Sequence, residues 1–217
     1  MLNFTREEIE TGRKLFQKGV EYVLSVADLT QLPPHHELDE IAFAGRSNVG
    51  KSSLINALAE KKKLARVSRV PGRTQQLNFY KLWDKLYMVD MPGYGFAQAP
   101  ESTVRHWQIM VHNYLRGRPN LKRVFLLVDA RTGVKKLDKE MMAMMDKAAV
   151  NYQLVLTKAE RMPTVELAKQ INNIAMTLSE HPAAHVDIIA TSAEAGYGLE
   201  ELRAEIARIA NVTRVRR

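Results

Sequence analysis

The chain has no cysteine. Disulfides, thiolate nucleophiles and cysteine-based metal sites are therefore excluded. No apolar run approaches the length needed to cross a bilayer. The opening stretch MLNFTREEIETGRKLF is charged where a signal peptide would need an unbroken apolar core. Internal repeats and low-complexity tracts are also missing. These absences predict a soluble, cytoplasmic protein with no membrane partner.

What is present is ordinary in bulk but uneven in charge. A chain of 217 residues, 46% hydrophobic and 26% charged, suits one domain with a sizeable core. Lysine and arginine exceed aspartate and glutamate by 32 − 24 = 8. That surplus fits either a polyanionic partner such as RNA or a merely basic soluble surface.

TREEIETGRKLFQKG reads as a helix, with Thr5 and Glu8 spaced as a capping box and Gly19 as its stop. A short apolar stretch and the Pro33-Pro34 break then link it to the main domain. EIAFAG reads as a buried strand, followed by a glycine loop and the helix KSSLINALAEKK. LNFYKLW and KLYMVDMPG read as two strands joined tightly at Asp84-Lys85, hence antiparallel. Three strand–helix units follow, with helices around 136–149, around 164–179 and at LEELRAEIARIA. Alternating buried strands and helices predict a three-layer α/β/α fold, with a mostly parallel sheet and one antiparallel edge strand. The expected division is an N-terminal helix and linker over 1–38, a main domain over 39–211 and a basic tail over 212–217.

GRSNVGKSS matches G-x-x-x-x-G-K-[ST] between a strand and a helix, the context a phosphate-binding loop requires. Gly45 and Gly50 let the backbone curl, and Arg46, Ser47, Asn48 and Val49 complete the cradle with their amides. Lys51 can reach the β- and γ-phosphates, and Ser52 can offer its hydroxyl to Mg²⁺. The helix start adds its positive dipole end.

MVDMPGYG places Asp90 at the carboxyl end of a strand, where it can hold Mg²⁺ through a water. Met91, Pro92 and Gly93 follow, and the Gly93 amide can meet a γ-phosphate. Between these motifs lies RVSRVPGRTQQ, a candidate nucleotide-sensitive switch built from Gly72, Arg73, Thr74, Gln75 and Gln76. Thr74 is the candidate γ-phosphate-dependent Mg²⁺ ligand, with Ser68 as its rival. Thr157, Lys158, Ala159 and Glu160 of TKAE, with Thr191, Ser192 and Ala193 of TSA, form the candidate base pocket.

GRSNVGKSSLINAL, PGRTQQLNFY, VDMPGYGFA and LVLTKAE together resemble the EngB (YsxC/YihA) family within the translation-factor branch of P-loop GTPases. The resemblance runs from about residue 20 to 211. It implies a monomeric GTP/GDP-binding domain, Mg²⁺ dependence, work on the large ribosomal subunit and its rRNA, and a link to cell division and septation. Asn48 is open to two readings: a K⁺ ligand near the phosphates, as the resemblance suggests, or only a tight-turn residue. Lys51, Thr74 and Asn48 are the candidate catalytic residues. Tyr94 stands where Ras-like enzymes carry a water-positioning glutamine. Gln98 is nearby in sequence, and Arg46 is a candidate for charge stabilisation. Slow intrinsic hydrolysis is expected.

Glu160 departs from the Thr-Lys-x-Asp pattern by one methylene. A carboxylate there accepts from the guanine N1–H and N2–H₂ donors, a pair that adenine lacks. Glu160 keeps both oxygens, so a preference for GTP over ATP is expected, with ordinary or weakened affinity. Two rivals remain: a P-loop kinase, and a non-hydrolysing RNA-binding scaffold with a vestigial nucleotide site. Met141 to Met145, Trp107 and His35-His36 read as helix packing, helix packing and exposed linker. EKKKLARVSR and YLRGRPNLKR are basic clusters that could meet RNA phosphates.

Overall fold

The computed structural model describes residues 3–65, 76–95 and 101–212, leaving the side chains of residues 101 and 103 aside. Thr5 caps the first helix α1 (Arg6–Gln17) as expected, its hydroxyl accepting from the Glu8 amide while Glu8 accepts from the Thr5 amide. The helix stops at Lys18, and Gly19 follows at φ 107.

The chain then enters a seven-stranded sheet. In chain order its strands are β1 (Val20–Val26), β2 (Asp39–Gly45), β3 (Leu77–Leu82), β4 (Leu86–Asp90), β5 (Leu121–Asp129), β6 (Tyr152–Thr157) and β7 (Ile189–Ala190). The order across the sheet is β1-β3-β4-β2-β5-β6-β7. β3 is antiparallel to both its neighbours, and the remaining pairs are parallel.

The mostly parallel sheet with one antiparallel strand is as expected. That strand lies one place in from the edge, however, because residues 20–26, taken from sequence as part of a linker, form β1 outside it. An edge strand needs only one buried face. β1 buries only its ends fully, so its sequence carries little of the signal of a central strand.

The remaining helices are α2 (Lys51–Leu58), α3 (Glu101–Gly117), α4 (Lys136–Lys147), α5 (Thr164–Leu178) and α6 (Leu199–Ile209). Period-two alternation sorts the strands between two cores. Ile41, Phe43, Phe125 and Leu127 face α1, α2 and α6. Ala42, Ala44, Val124 and Leu126 face α3, α4 and α5, where Met141, Met142 and Met145 are buried packing residues.

Three contacts fix this frame. A Cβ at Gly12 would come within 2.6 Å of the Ala204 backbone nitrogen, so only glycine lets α1 lie this close to α6. The buried Arg203 of α6 donates to the carbonyls of Ala57 and Leu58, satisfying the C-terminal end of α2. At the amino end of β2, the fully buried Glu40 accepts from the Tyr114 hydroxyl and is ion-paired with Arg118, which also donates to the Pro33 carbonyl. Burial and this carboxylate drive the Tyr114 phenol well above its ordinary pKa.

The β3–β4 hairpin turns through Trp83, Asp84 and Lys85, with Trp83 at φ 47. A bulky side chain in the left-handed region costs about 1–3 kcal/mol that glycine would not incur. Trp83 is also exposed, so core burial does not offset that cost.

Candidate nucleotide site

The site is assembled at the carboxyl ends of β2, β4, β5, β6 and β7, where a sheet of this type binds ligands. Gly45 closes β2, and the loop Arg46–Gly50 leads into α2. Asn48 lies at φ 62, a left-handed conformation asparagine tolerates well. Gly50 lies at φ 105 and caps α2 with no side-chain hydrogen bond, so the first amides of the helix have no side-chain cap. The amides of Ser47 and Val49 bond to the carbonyls of Tyr94 and Arg46. Asn48, Gly50, Lys51 and Ser52 thus supply the amides best suited to an anion.

The Asp-Met-Pro-Gly turn approaches this loop closely. A Cβ at Gly93 would stand 3.3 Å from Ser47 Cα, tighter than ordinary contact. Lys51 Nζ is ion-paired with Asp90 Oδ1, and both side chains are nearly buried. Tyr94 is buried and donates to Asp138 Oδ1 at 2.8 Å. Burial first, and then the Asp138 carboxylate, drive its phenol far above the ordinary range. It is therefore a fixed donor with no acid–base role near neutral pH.

Arg46 belongs to the same cluster. Its Nη2 donates to Thr132 Oγ1 at 2.9 Å, and its Nε lies 3.2 Å from Asp138 Oδ2. That Nε contact is an ion pair by distance rather than an aligned hydrogen bond. Trp107 closes the group, donating to the Pro92 carbonyl at 3.2 Å with its ring 5.7 Å from Tyr94. It therefore holds the turn in addition to packing α3.

The candidate base-reading segment is stapled to the candidate phosphate loop. Thr157 Oγ1 donates to the Val49 carbonyl at 2.6 Å, and Lys158 Nζ donates to the Asn48 carbonyl at 2.9 Å. Lys158 sits in the left-handed region at φ 58 and also lies 3.0 Å from Asp129 Oδ2. Arg131 grips both oxygens of Asp129. Those bonds, against the opposing effect of burial and with Lys158 adding to them, hold the Asp129 carboxyl far below the usual range. Neither Asp129 nor Asp138 stands out in the sequence as a site residue. Their one local signal is position, since Asp129 ends a strand and Asp138 lies in the first turn of a helix.

Glu160 lies in the short turn Ala159–Arg161, with its side chain 22% exposed. Burial pushes its carboxyl up. The Ser192 hydroxyl, its own backbone amide and Arg161 outweigh that and leave it below the ordinary value, so Glu160 is an ionised acceptor near neutral pH. The Ala159 amide bonds to the Thr191 carbonyl at 3.1 Å, joining the two halves of the pocket. The amides of Thr191 and Ser192 are used by the carbonyls of Leu156 and Tyr197, leaving Ala193 as the candidate of the three to face a base. Gln76 is half-buried just before β3. Gly72, Arg73, Thr74, Gln75, Ser68 and Gln98 lie outside the described residues.

Comparison with known proteins places the chain among GTP-binding proteins. Residues 40–158 match the family model described as "50S ribosome-binding GTPase". The chain is 49% identical over 208 residues to the "Probable GTP-binding protein EngB" of Rhodospirillum rubrum, covering 94% of this chain and 90% of that one. It is 51% identical over 210 residues to the protein of that description from Hyphomonas neptunium, covering 95% of each chain. Among solved structures, a "probable GTP-binding protein engB" aligns with TM-score 0.64 at 26% identity, covering 79% of this chain and 98% of that one. Aquifex aeolicus Era bound to GDP and aluminium fluoride aligns with TM-score 0.62 at 20% identity, covering 80% of this chain and 57% of that one, a likeness of fold.

Proposed function

The chain belongs to the EngB family of GTP-binding proteins, and from that premise we propose a guanine-nucleotide switch that hydrolyses GTP slowly and serves assembly of the large ribosomal subunit. The observation that carries the nucleotide half is the junction of three motifs. Lys51 of the phosphate loop rests on Asp90, while Thr157 and Lys158 of the base segment bond to the carbonyls of Val49 and Asn48. In this reading those bonds keep a base on Glu160 at a fixed distance from phosphates on the loop amides.

Each residue then has a definite task. Lys51 and the amides of Asn48, Gly50, Lys51 and Ser52 bind and orient phosphate oxygens. The stem of Lys158 covers the base plane, and Glu160 accepts from the guanine edge. Ser52 and Asp90 offer the hydroxyl and carboxylate oxygens that a hard cation prefers, and would hold Mg²⁺. Thr74 is the proposed further ligand. Magnesium would supply charge neutralisation at the phosphates. Asn48 would present oxygen to K⁺ beside them.

Slow hydrolysis is supported by two side chains that are otherwise engaged. Tyr94 spends its hydroxyl on Asp138, and Arg46 is drawn to Thr132 and Asp138. Neither is placed to orient a water or steady a leaving phosphate, so an external activator such as the ribosome is part of the proposal. A monomeric, cytoplasmic protein needed for normal cell division and septation completes it. The RNA-facing half rests on the basic surplus and on the family.

Two experiments test this reading. Competition against a fluorescent GDP should show GDP and GTP displacing it well and ATP poorly. Glu160→Ala should weaken GDP by about ten- to a hundredfold and erase that preference, the value of a charged bidentate contact. Equal displacement by ATP from the wild type would remove the guanine assignment. GTP-loaded protein should also sediment with large ribosomal subunits more strongly than GDP-loaded protein. Absence from the subunit fraction in both states would sink the ribosomal part.

A further inference from the structure

The end of the sheet opposite the nucleotide carries a second feature. The β3–β4 turn is level with the amino end of β2, since Leu86 pairs with Asp39, whereas Asp90 pairs with Phe43 near the phosphate loop. There Trp83 keeps 36% of its surface exposed in a backbone conformation that suits glycine or asparagine. The turn alone does not call for this residue. The indole faces two ammonium groups, Lys18 at 5.5 Å and Lys85 at 5.4 Å from the ring centroid.

Further lysines gather around it. Trp83 donates its amide to the Gly19 carbonyl, and the next residue, Val20, accepts from Lys61 Nζ at 2.7 Å. Lys62 and Lys63 are exposed beside Lys61. Nearby acids are largely engaged: Asp84 pairs with Lys81, Glu60 pairs with Arg203, and Glu21 stands opposite Lys81 in the β1–β3 ladder. The other basic run is mostly engaged by acids, with Arg118 on Glu40 and Arg123 on Glu205 inside the fold and Lys122 on Asp39 at the surface.

We propose that Trp83, Lys18, Lys85 and the adjacent lysines 61 to 63 form a docking surface for single-stranded RNA, a base stacking on the indole while phosphates meet the ammonium groups. Stacking suits any base, and a lysine-rich rim tracks the backbone without reading sequence. An exposed aromatic ringed by cations complements a polyanion with π-faces better than it does an apolar protein groove. The surface lies far from the nucleotide, so RNA and GTP can be held together. This deepens the ribosomal part of the proposed function and rests on that reading.

Trp83→Asn provides a discriminating test, because asparagine accepts the left-handed backbone and lacks the ring. The probe is a fluorescein-labelled oligo(A) of about a dozen nucleotides, within the span such sites cover, titrated with full-length GDP-loaded protein and followed by anisotropy. Wild type should bind with an affinity that falls steeply as salt rises. Trp83→Asn should bind about five- to a hundredfold more weakly, with equal or higher thermal stability and unchanged GDP affinity, and Trp83→Phe should retain most of the binding. If Trp83→Asn holds the oligonucleotide as tightly as wild type, if it unfolds earlier, or if wild type binds no better than to a duplex of equal length, the surface is not a single-strand dock. Sedimentation of wild type with ribosomal subunits is read separately, so a failed dock and a failed ribosomal role give different results.

Discussion

Lys51→Met is expected to weaken both GTP and GDP by at least about a hundredfold, because in the proposed site the ammonium would make two or more charge-assisted phosphate contacts of about 1.5–3 kcal/mol each. The same substitution should lower stability by up to about 3 kcal/mol, since Asp90 is nearly buried and loses the cation it rests on. These two effects are separable. Adding Asp90→Asn removes the uncompensated carboxylate and should restore most of the stability while leaving binding as poor as before. Titration calorimetry reads the first effect and urea unfolding the second. A single variant that keeps nucleotide affinity within about tenfold of wild type would take Lys51 out of the phosphate site.

Arg118→Met should be the most damaging single change to the fold away from the nucleotide. Glu40 is fully buried, and without Arg118 it keeps only the Tyr114 hydroxyl from this cluster. Breaking a buried pair from one side costs about 3–5 kcal/mol. For a chain of this size each kcal/mol shifts the melting temperature by about 2–4 °C, so a drop of roughly 6–20 °C is expected. Replacing the whole cluster, Arg118→Met with Glu40→Leu and Tyr114→Phe, should recover much of the loss, because no charge is then stranded. GDP affinity measured well below the melting point should be unchanged in both proteins. A loss under about 1 kcal/mol in the single variant would show that water reaches Glu40 and that the pair is not truly buried.

What could be read in the sequence was what acts locally. The capping box at Thr5 announces itself because Glu8 lies three residues on, and the glycine loop at Gly45–Gly50 and the Asp-Met-Pro-Gly turn do so because each is a short contiguous motif. The apolar runs of β2 and β5 are equally plain, since both faces of those strands are buried. β1 was missed because an edge strand shows burial on too few positions. Asp138 was missed for a different reason: its partners Tyr94 and Arg46 lie 44 and 92 residues away, and only the folded sheet brings them together. Asp129 orders Lys158 by the same kind of meeting, whereas its other partner, Arg131, is local. The spent amides of Thr191 and Ser192 are another case, because a sequence shows which amides exist but not which are taken.

The tight crossing of α1 over α6, closed by Gly12 against Ala204 and by the ion pair of Glu8 with Arg208, also sets a timetable. α1 is synthesised well ahead of its seat, since Glu8 and Arg208 stand 200 residues apart. Until α6 emerges, α1 must wait beside a ribosome with its apolar stripe uncovered, where an isolated helix of this length is barely stable in water. The glycine that permits the close crossing therefore ties the placing of α1 to a helix made long after it.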